Sequence, residues 1–182
     1  MDITGNLLIA PPSVKGSFWY KTVLIVTEHH QAGSMGLVLN KRSQMTINEF
    51  ASQLGFSMDV PGFLYLGGPI NVKSLTLLHT NEWRCNNTMR VNDTFSVSSA
   101  EEIFPRLALG DRPKQWRMFL GVCGWSPNQL ISEIKGTPPF EENVSWCTAK
   151  SDVDIVFGVD LKEQWLHSLE RSGQEFAQNI LT

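Results

Sequence analysis

The sequence predicts a single α+β domain, and three observations carry that reading. Runs of strand character and capped helical segments are mixed without the regular alternation of a doubly wound parallel sheet. No internal repeat occurs, and no tract of Pro, Gly and Ser is long enough to divide the chain, so residues 1–182 read as one unit. At 182 residues and 42% hydrophobic content a sizeable core is within reach, since a chain of this length buries roughly 70% of its unfolded surface.

The elements follow in order. Leu7-Leu8-Ile9-Ala10 is a short apolar strand ended by Pro11 and Pro12. The β-branched run Thr22 to Thr27 predicts a buried strand. A polar turn over Glu28 to Ser34 brings the chain back along Met35 to Asn40, which makes a hairpin. Thr46 to Leu54 is the clearest helix. Thr46 and Glu49 form a capping box, Ile47, Phe50, Ala51 and Leu54 share a face, and Gly55 stops it. Phe63 to Leu66 and Leu75 to His79 are strands separated by the compact turn Gly67-Gly68-Pro69-Ile70. After a polar loop from Thr80 to Asn87, Phe95-Ser96-Val97 is a shorter strand.

Ser99 and Glu102 predict a second capping box, on a helix ended by Gly110, with Pro105 kinking it or forcing a later start. Trp116 to Leu120 is a strand leading into Gly121 to Gln129, which reads as a glycine-lined turn. There Ser126 is expected to cap the next helix, Pro127 to take its first position and Gln129 to complete the box. Leu130, Ile131 and Ile134 give that helix its apolar face, and Gly136 ends it. Val144 to Thr148 and Val153 to Phe157 read as the last strands. Asp160 and Glu163 open a final helix with Leu161, Trp165, Leu166 and Leu169 on one face, interrupted at Gly173.

A net charge of −3 leaves no electrostatic footprint for nucleic acid or an anionic membrane. The local basic pairs, Lys41-Arg42 and Arg112 with Lys114, read as solvated surface. No window approaches the roughly 18 apolar residues of a membrane span, and the N-terminus lacks the basic and apolar regions of a signal peptide. A cytoplasmic location is the expectation. Cys85, Cys123 and Cys147 are odd in number and widely spaced, against a disulfide framework or a zinc site.

Glu28-His29-His30, with His79 as a third imidazole, invites a metal site. Adjacent side chains on an extended chain point opposite ways, so the two neighbouring histidines would not converge. Neither a metal nor a cofactor is expected. Cys123 lies just before a helix start, where a thiol pKa can fall, yet Gly121 to Trp125 lacks the final glycine of a nucleophile elbow. It reads as a small buried thiol. Gly67-Gly68-Pro69 has no lysine or hydroxyl in phosphate-loop register.

Several blocks together resemble the YqgE/AlgH family of functionally uncharacterised bacterial proteins. They are Gly5 to Pro12, Thr22 to Lys41, Gly67-Gly68-Pro69-Ile70, Leu78-His79, and Gly121 to Leu130 with Glu133-Ile134. Their order and spacing carry the resemblance to about Gly173. The chain departs from the pattern at Val122, Cys123, Ser126 and Asn128, and near Pro138-Pro139. The resemblance implies a mixed, mostly antiparallel sheet curling toward a barrel and flanked by helices. It implies no established enzymatic activity. Some members are labelled transcriptional regulators, but this chain has no DNA-reading motif.

The resemblance also places its polar and glycine-rich blocks at strand ends, which predicts one shared binding site. Its expected members are Glu28, His29, Asn40, Gly67, Gly68, His79, Gly124, Trp125, Ser126, Asn128 and Gln129. The functional expectation is a non-enzymatic cytoplasmic protein with a regulatory role, binding a protein partner or a small ligand and neither nucleic acid nor membrane. The alternative is a metal-assisted or His/Glu-based hydrolytic enzyme using Glu28, His29 and His79.

Overall fold

The computed structural model describes residues 2–181, and its centre is one long strand, β9 (Trp116–Trp125). Along one edge β9 pairs antiparallel with β6 (Ile70–Thr80), from Ile70 opposite Val122 to His79 opposite Trp116. Its other edge is shared. The first half pairs in parallel with β5 (Phe63–Leu66), and the second half pairs antiparallel with β3 (Gly33–Val38). Beyond β3 lie β2 (Val23–His30), β1 (Asn6–Ile9) and β10 (Cys147–Lys150). Beyond β6 lie β8 (Phe95–Ser99) and the short β7 (Met89–Arg90). β4 (Arg42–Thr46) pairs with β5. The result is a mixed, mostly antiparallel sheet curled into a half-barrel with helices outside it.

The period of two along the strands sorts side chains into separate cores. Leu7, Ile9, Ile25, Leu78 and Phe119 point into the curl and meet Phe95, Ile155 and Val156. Their neighbours face outward. Leu8, Leu24, Val26 and Cys123 pack with Leu130 of α3 (Gln129–Lys135) and Trp146. Leu77 and Met118 pack under α1 (Ile47–Gln53) and α2 (Ala100–Ala108), against Ala51, Ile103 and Phe104.

Local signals account for much of this. The Thr46–Glu49 capping box forms in both directions, and the glycines expected to end α1, α2 and α3 all have positive φ. The three cysteines are free, with Cys123 buried.

Other expectations fail for identifiable reasons. The strands of the hairpin run on through His30 and Gly33, so Glu28 and His29 lie in β2 rather than in a turn. Gly121 to Trp125 is strand, because β3 pairs with Cys123 to Trp125 and β6 with Val122, while Gly121 keeps a positive φ of 72°. The cap of α3 is Asn128 in the left-handed region (φ 63°), not Ser126, and Pro127 precedes the helix. Of the expected Ser126–Gln129 box only the return half exists, Gln129 Oε1 accepting from the Ser126 N–H at 3.0 Å. Ser99 does not cap α2 with its side chain, whose Oγ accepts from Asn87 Nδ2 at 2.7 Å, and the helix runs through Pro105. Val153 to Phe157 is not a strand. Asp154–Gly158 is a π-helical turn, and α4 (Gln164–Leu181) continues through Gly173.

Candidate functional site

The residues expected to share a site are held by different parts of the sheet. His79 lies at the Trp116 end of β9, roughly 30 Å of strand away from Trp125. It is fully buried, with Nε2 on Ser98 Oγ and Nδ1 on the Thr80 carbonyl, both at 2.9 Å. Burial pushes its pKa below the ordinary imidazole value. It is a neutral core histidine.

Asn40 sits at the opposite end of the hairpin from Glu28. Its Oδ1 accepts from the Val23 N–H at 3.1 Å, and its Nδ2 donates to the Lys21 carbonyl at 2.8 Å. It splices the two strands where ordinary pairing stops. Gly67 and Gly68 form the crossing between β3 and β9. The Gly67 N–H donates to Leu120 O, and its carbonyl accepts from the Val38 N–H, both at 2.8 Å. A Cβ on Gly68 would fall well inside contact distance of the Val122 carbonyl. These glycines let two backbones touch.

The remaining residues do come together, at the tip of the β2–β3 hairpin beside the end of β9. Ser34 lies opposite both His29 and Trp125. His29 Nδ1 and Ser34 Oγ are 2.8 Å apart, while His30 Nε2 turns to Glu28 Oε2 at 3.7 Å. The adjacent histidines face opposite sides of the strand, as their spacing requires. Among the described residues, no group of three His, Cys, Asp or Glu side chains is placed to hold a metal ion. The buried Cys123 thiol is pushed up to about 12 by burial, so it is no nucleophile near neutral pH.

Two clefts adjoin at this end. One, of about 430 Å³, runs between the hairpin tip and the start of β6, past Met35, Ile70, Asn71, Gly124 and Ser126. The other, of about 380 Å³, continues from Ile70 and Trp125 to Trp19, Trp146 and Glu133. Met35 and Ile70 stand exposed in the first (39% and 44%). Asn128 lines neither cleft.

Glu133 organises the second cleft, and sequence reasoning missed it. The residue is 5% exposed, and its carboxylate receives four N–H donors. Trp125 Nε1 and Trp146 Nε1 reach Oε2, each at 2.8 Å. Gln129 Nε2 and Asn143 Nδ2 reach Oε1 at 2.9 and 2.8 Å. Both oxygens act only as acceptors, as a carboxylate does. The signal was present: Glu133 lies three residues after Leu130, on the apolar face of α3.

A profile of the AlgH-like family matches residues 7–177. The chain belongs to the AlgH-like family. Its similarity to UPF0301 proteins runs nearly end to end. It is 31% identical over 174 residues to one from Gluconobacter oxydans, covering 93% of this chain and 90% of that protein. It is 28% identical over 181 residues to one from Photobacterium profundum, covering 95% and 93%. The solution structure of the AlgH protein from Pseudomonas aeruginosa superimposes with a TM-score of 0.76 at 26% identity, covering 94% of this chain and 89% of that one. A crystal structure of a Corynebacterium diphtheriae protein, DIP2367, shares the AlgH-like fold with a TM-score of 0.70 at 22% identity, covering 92% of each chain.

Proposed function

We propose that this protein acts by non-covalent binding at the hairpin–β9 end, in a regulatory role in the cytoplasm. The observation that carries this reading is the pair of adjoining clefts, with Met35 and Ile70 exposed beside the indoles of Trp125 and Trp146. Concave, mostly apolar walls with a few fixed polar groups are the usual makeup of a small-ligand or peptide site. The clefts rest on paired strands, and the Glu133 carboxylate holds the two indoles through their Nε1 hydrogen bonds. His29 and Ser34 resemble two of the three members of a hydrolytic triad, but Ser34 is 5% exposed and lies opposite Trp125. That arrangement favours binding over nucleophilic attack.

Among the described residues, no helix is long and apolar enough to cross a membrane. The test replaces Ile70 by Asp, putting a charge at the junction of the clefts. Cross-linking and mass spectrometry on the full chain should show partner or ligand retention lost while the melting temperature stays within a few degrees. Retention unchanged by Ile70→Asp refutes the reading.

A further inference from the structure

The far end of β9 carries a different cleft, and Arg117 is one of the residues that line it. The guanidinium donates through Nη1 to the Leu39 carbonyl at 3.2 Å and through Nη2 to the Phe157 carbonyl at 3.3 Å. It lies over the ring of Tyr65 at 4.8 Å. Both acceptors are neutral, and among the described residues no carboxylate forms an ion pair with it. Five N–H donors on a guanidinium leave three beyond those two bonds. Burial holds its pKa below the ordinary arginine value, as expected for a charge without a counter-ion.

The cleft above it has a volume of about 540 Å³. Arg112 and Lys114 line it with Arg117, and Phe63, Trp116 and Phe157 are among its aromatic lining, with Arg117 5.8 Å from the centre of the Phe157 ring. No Asp or Glu is among the described residues lining it. Arg42 does not line the cleft but lies over the ring of Phe63 at 4.4 Å. The acids nearest in sequence are engaged elsewhere. Asp111 pairs with Arg106 at 2.6 Å and accepts from Trp83 Nε1 at 2.9 Å. Glu82 takes the Lys114 backbone N–H at 2.6 Å, and its charge reaches Lys114 from outside the cleft. In a chain of net charge −3 this concentration of cations around aromatic walls stands apart.

We propose that this cleft binds a small phosphorylated ligand bearing a flat ring, the chemistry of a mononucleotide. Arg117, Arg112 and Lys114 take the phosphates through charge-assisted hydrogen bonds. The aromatic walls take the ring, and the volume suits a ligand of that size. This site is separate from the clefts at the Trp125 end and does not depend on them.

Isothermal titration calorimetry of the full chain with adenosine diphosphate, pyrophosphate and adenosine tests it. The diphosphate nucleoside should bind, more weakly as salt rises, and more tightly than either half alone. The double variant Arg112→Gln/Lys114→Gln touches only exposed side chains, so it should fold normally and bind about tenfold more weakly or worse. Arg117→Lys keeps a charge but not the planar fork, and should lose affinity by a similar factor with its melting temperature recorded alongside. Three results would overturn the proposal: no heat with adenosine diphosphate at millimolar concentration, equal affinity for pyrophosphate, or wild-type affinity in the double variant.

Discussion

Replacing Glu133 is the sharpest test of how the Trp-lined cleft is built. Glu133→Leu keeps the bulk of the side chain and removes both acceptor oxygens. Trp125 Nε1 and Trp146 Nε1 then lose their partner inside a buried cluster, since both rings are less than a tenth exposed. A buried donor left unpaired costs about 1–3 kcal/mol. Gln129 and Asn143 are less deeply buried and can turn toward water, so their loss adds little. Added apolar contact from leucine offsets part of the cost, which leaves an expected loss of about 2–5 kcal/mol. Glu133→Gln should cost about 1–2 kcal/mol. Its oxygen can serve the two indoles, but its NH₂ then faces two other NH₂ groups. Gln129 can turn its oxygen inward only by giving up its bonds from Ser126. Urea unfolding followed by tryptophan fluorescence measures both variants, with the slope of the transition checked for two-state behaviour. If Glu133→Leu unfolds within about 1 kcal/mol of wild type, the four contacts do not hold the cleft together.

Four further outcomes are expected. Gly68→Ala should fail to fold or lose about 3 kcal/mol or more, because its Cβ has only backbone to meet, whereas Gly124→Ala meets only Ile70 Cδ1 at 3.0 Å and should cost less than about 1 kcal/mol; thermal melts compare them. Asn128→Ala should cost about 1 kcal/mol, since Asn tolerates the left-handed region and Ala does not, while Ser126→Ala stays within about 0.5 kcal/mol by chemical denaturation. His79 is harder to protonate folded than unfolded, so the unfolded chain takes up its proton first as pH falls. Its contribution is complete above about pH 6.5 and declines as pH drops through the lower folded value; denaturation midpoints across this range should fall less steeply in His79→Gln. A thiol reagent at mild alkaline pH should label Cys123 only on unfolding, and mass spectrometry of timed samples would expose early labelling as a contradiction.

Local chemistry in the sequence was a good guide where neighbours along the chain decide the outcome. Thr46 and Glu49 are three residues apart and cap each other whatever surrounds them. Gly55, Gly110 and Gly136 end helices because the backbone there needs a positive φ. It misled where distant partners decide. Gly121 to Trp125 carries turn-like glycines, but pairing with β3 and β6 makes it strand, with only Gly121 at a positive φ. In strands, glycine also marks close backbone approach, and that reading fits here. The expected shared site was divided for a related reason. Strand ends look alike in sequence, yet His79 and Trp125 lie at opposite ends of β9. Arg112 and Lys114 read as solvated surface because Arg117, Phe63 and Phe157 come from separate segments. Only the folded chain brings them to one cleft.

The shared edge of β9 also sets the order in which this chain can become a protein. β3, β5 and β6 each need Trp116–Trp125 as a partner, and that strand is translated dozens of residues after them. Until it emerges from the ribosome, these three strands carry unpaired backbone along one side. Most of the sheet's pairing is therefore non-local, which slows folding. β1 then closes against β10, with Leu7 opposite Ala149, so the first strand made is among the last to gain its outer neighbour. A nascent chain arrested before residue 116 presents open sheet edges to the cell, and it is at that stage that this fold most needs protection from aggregation.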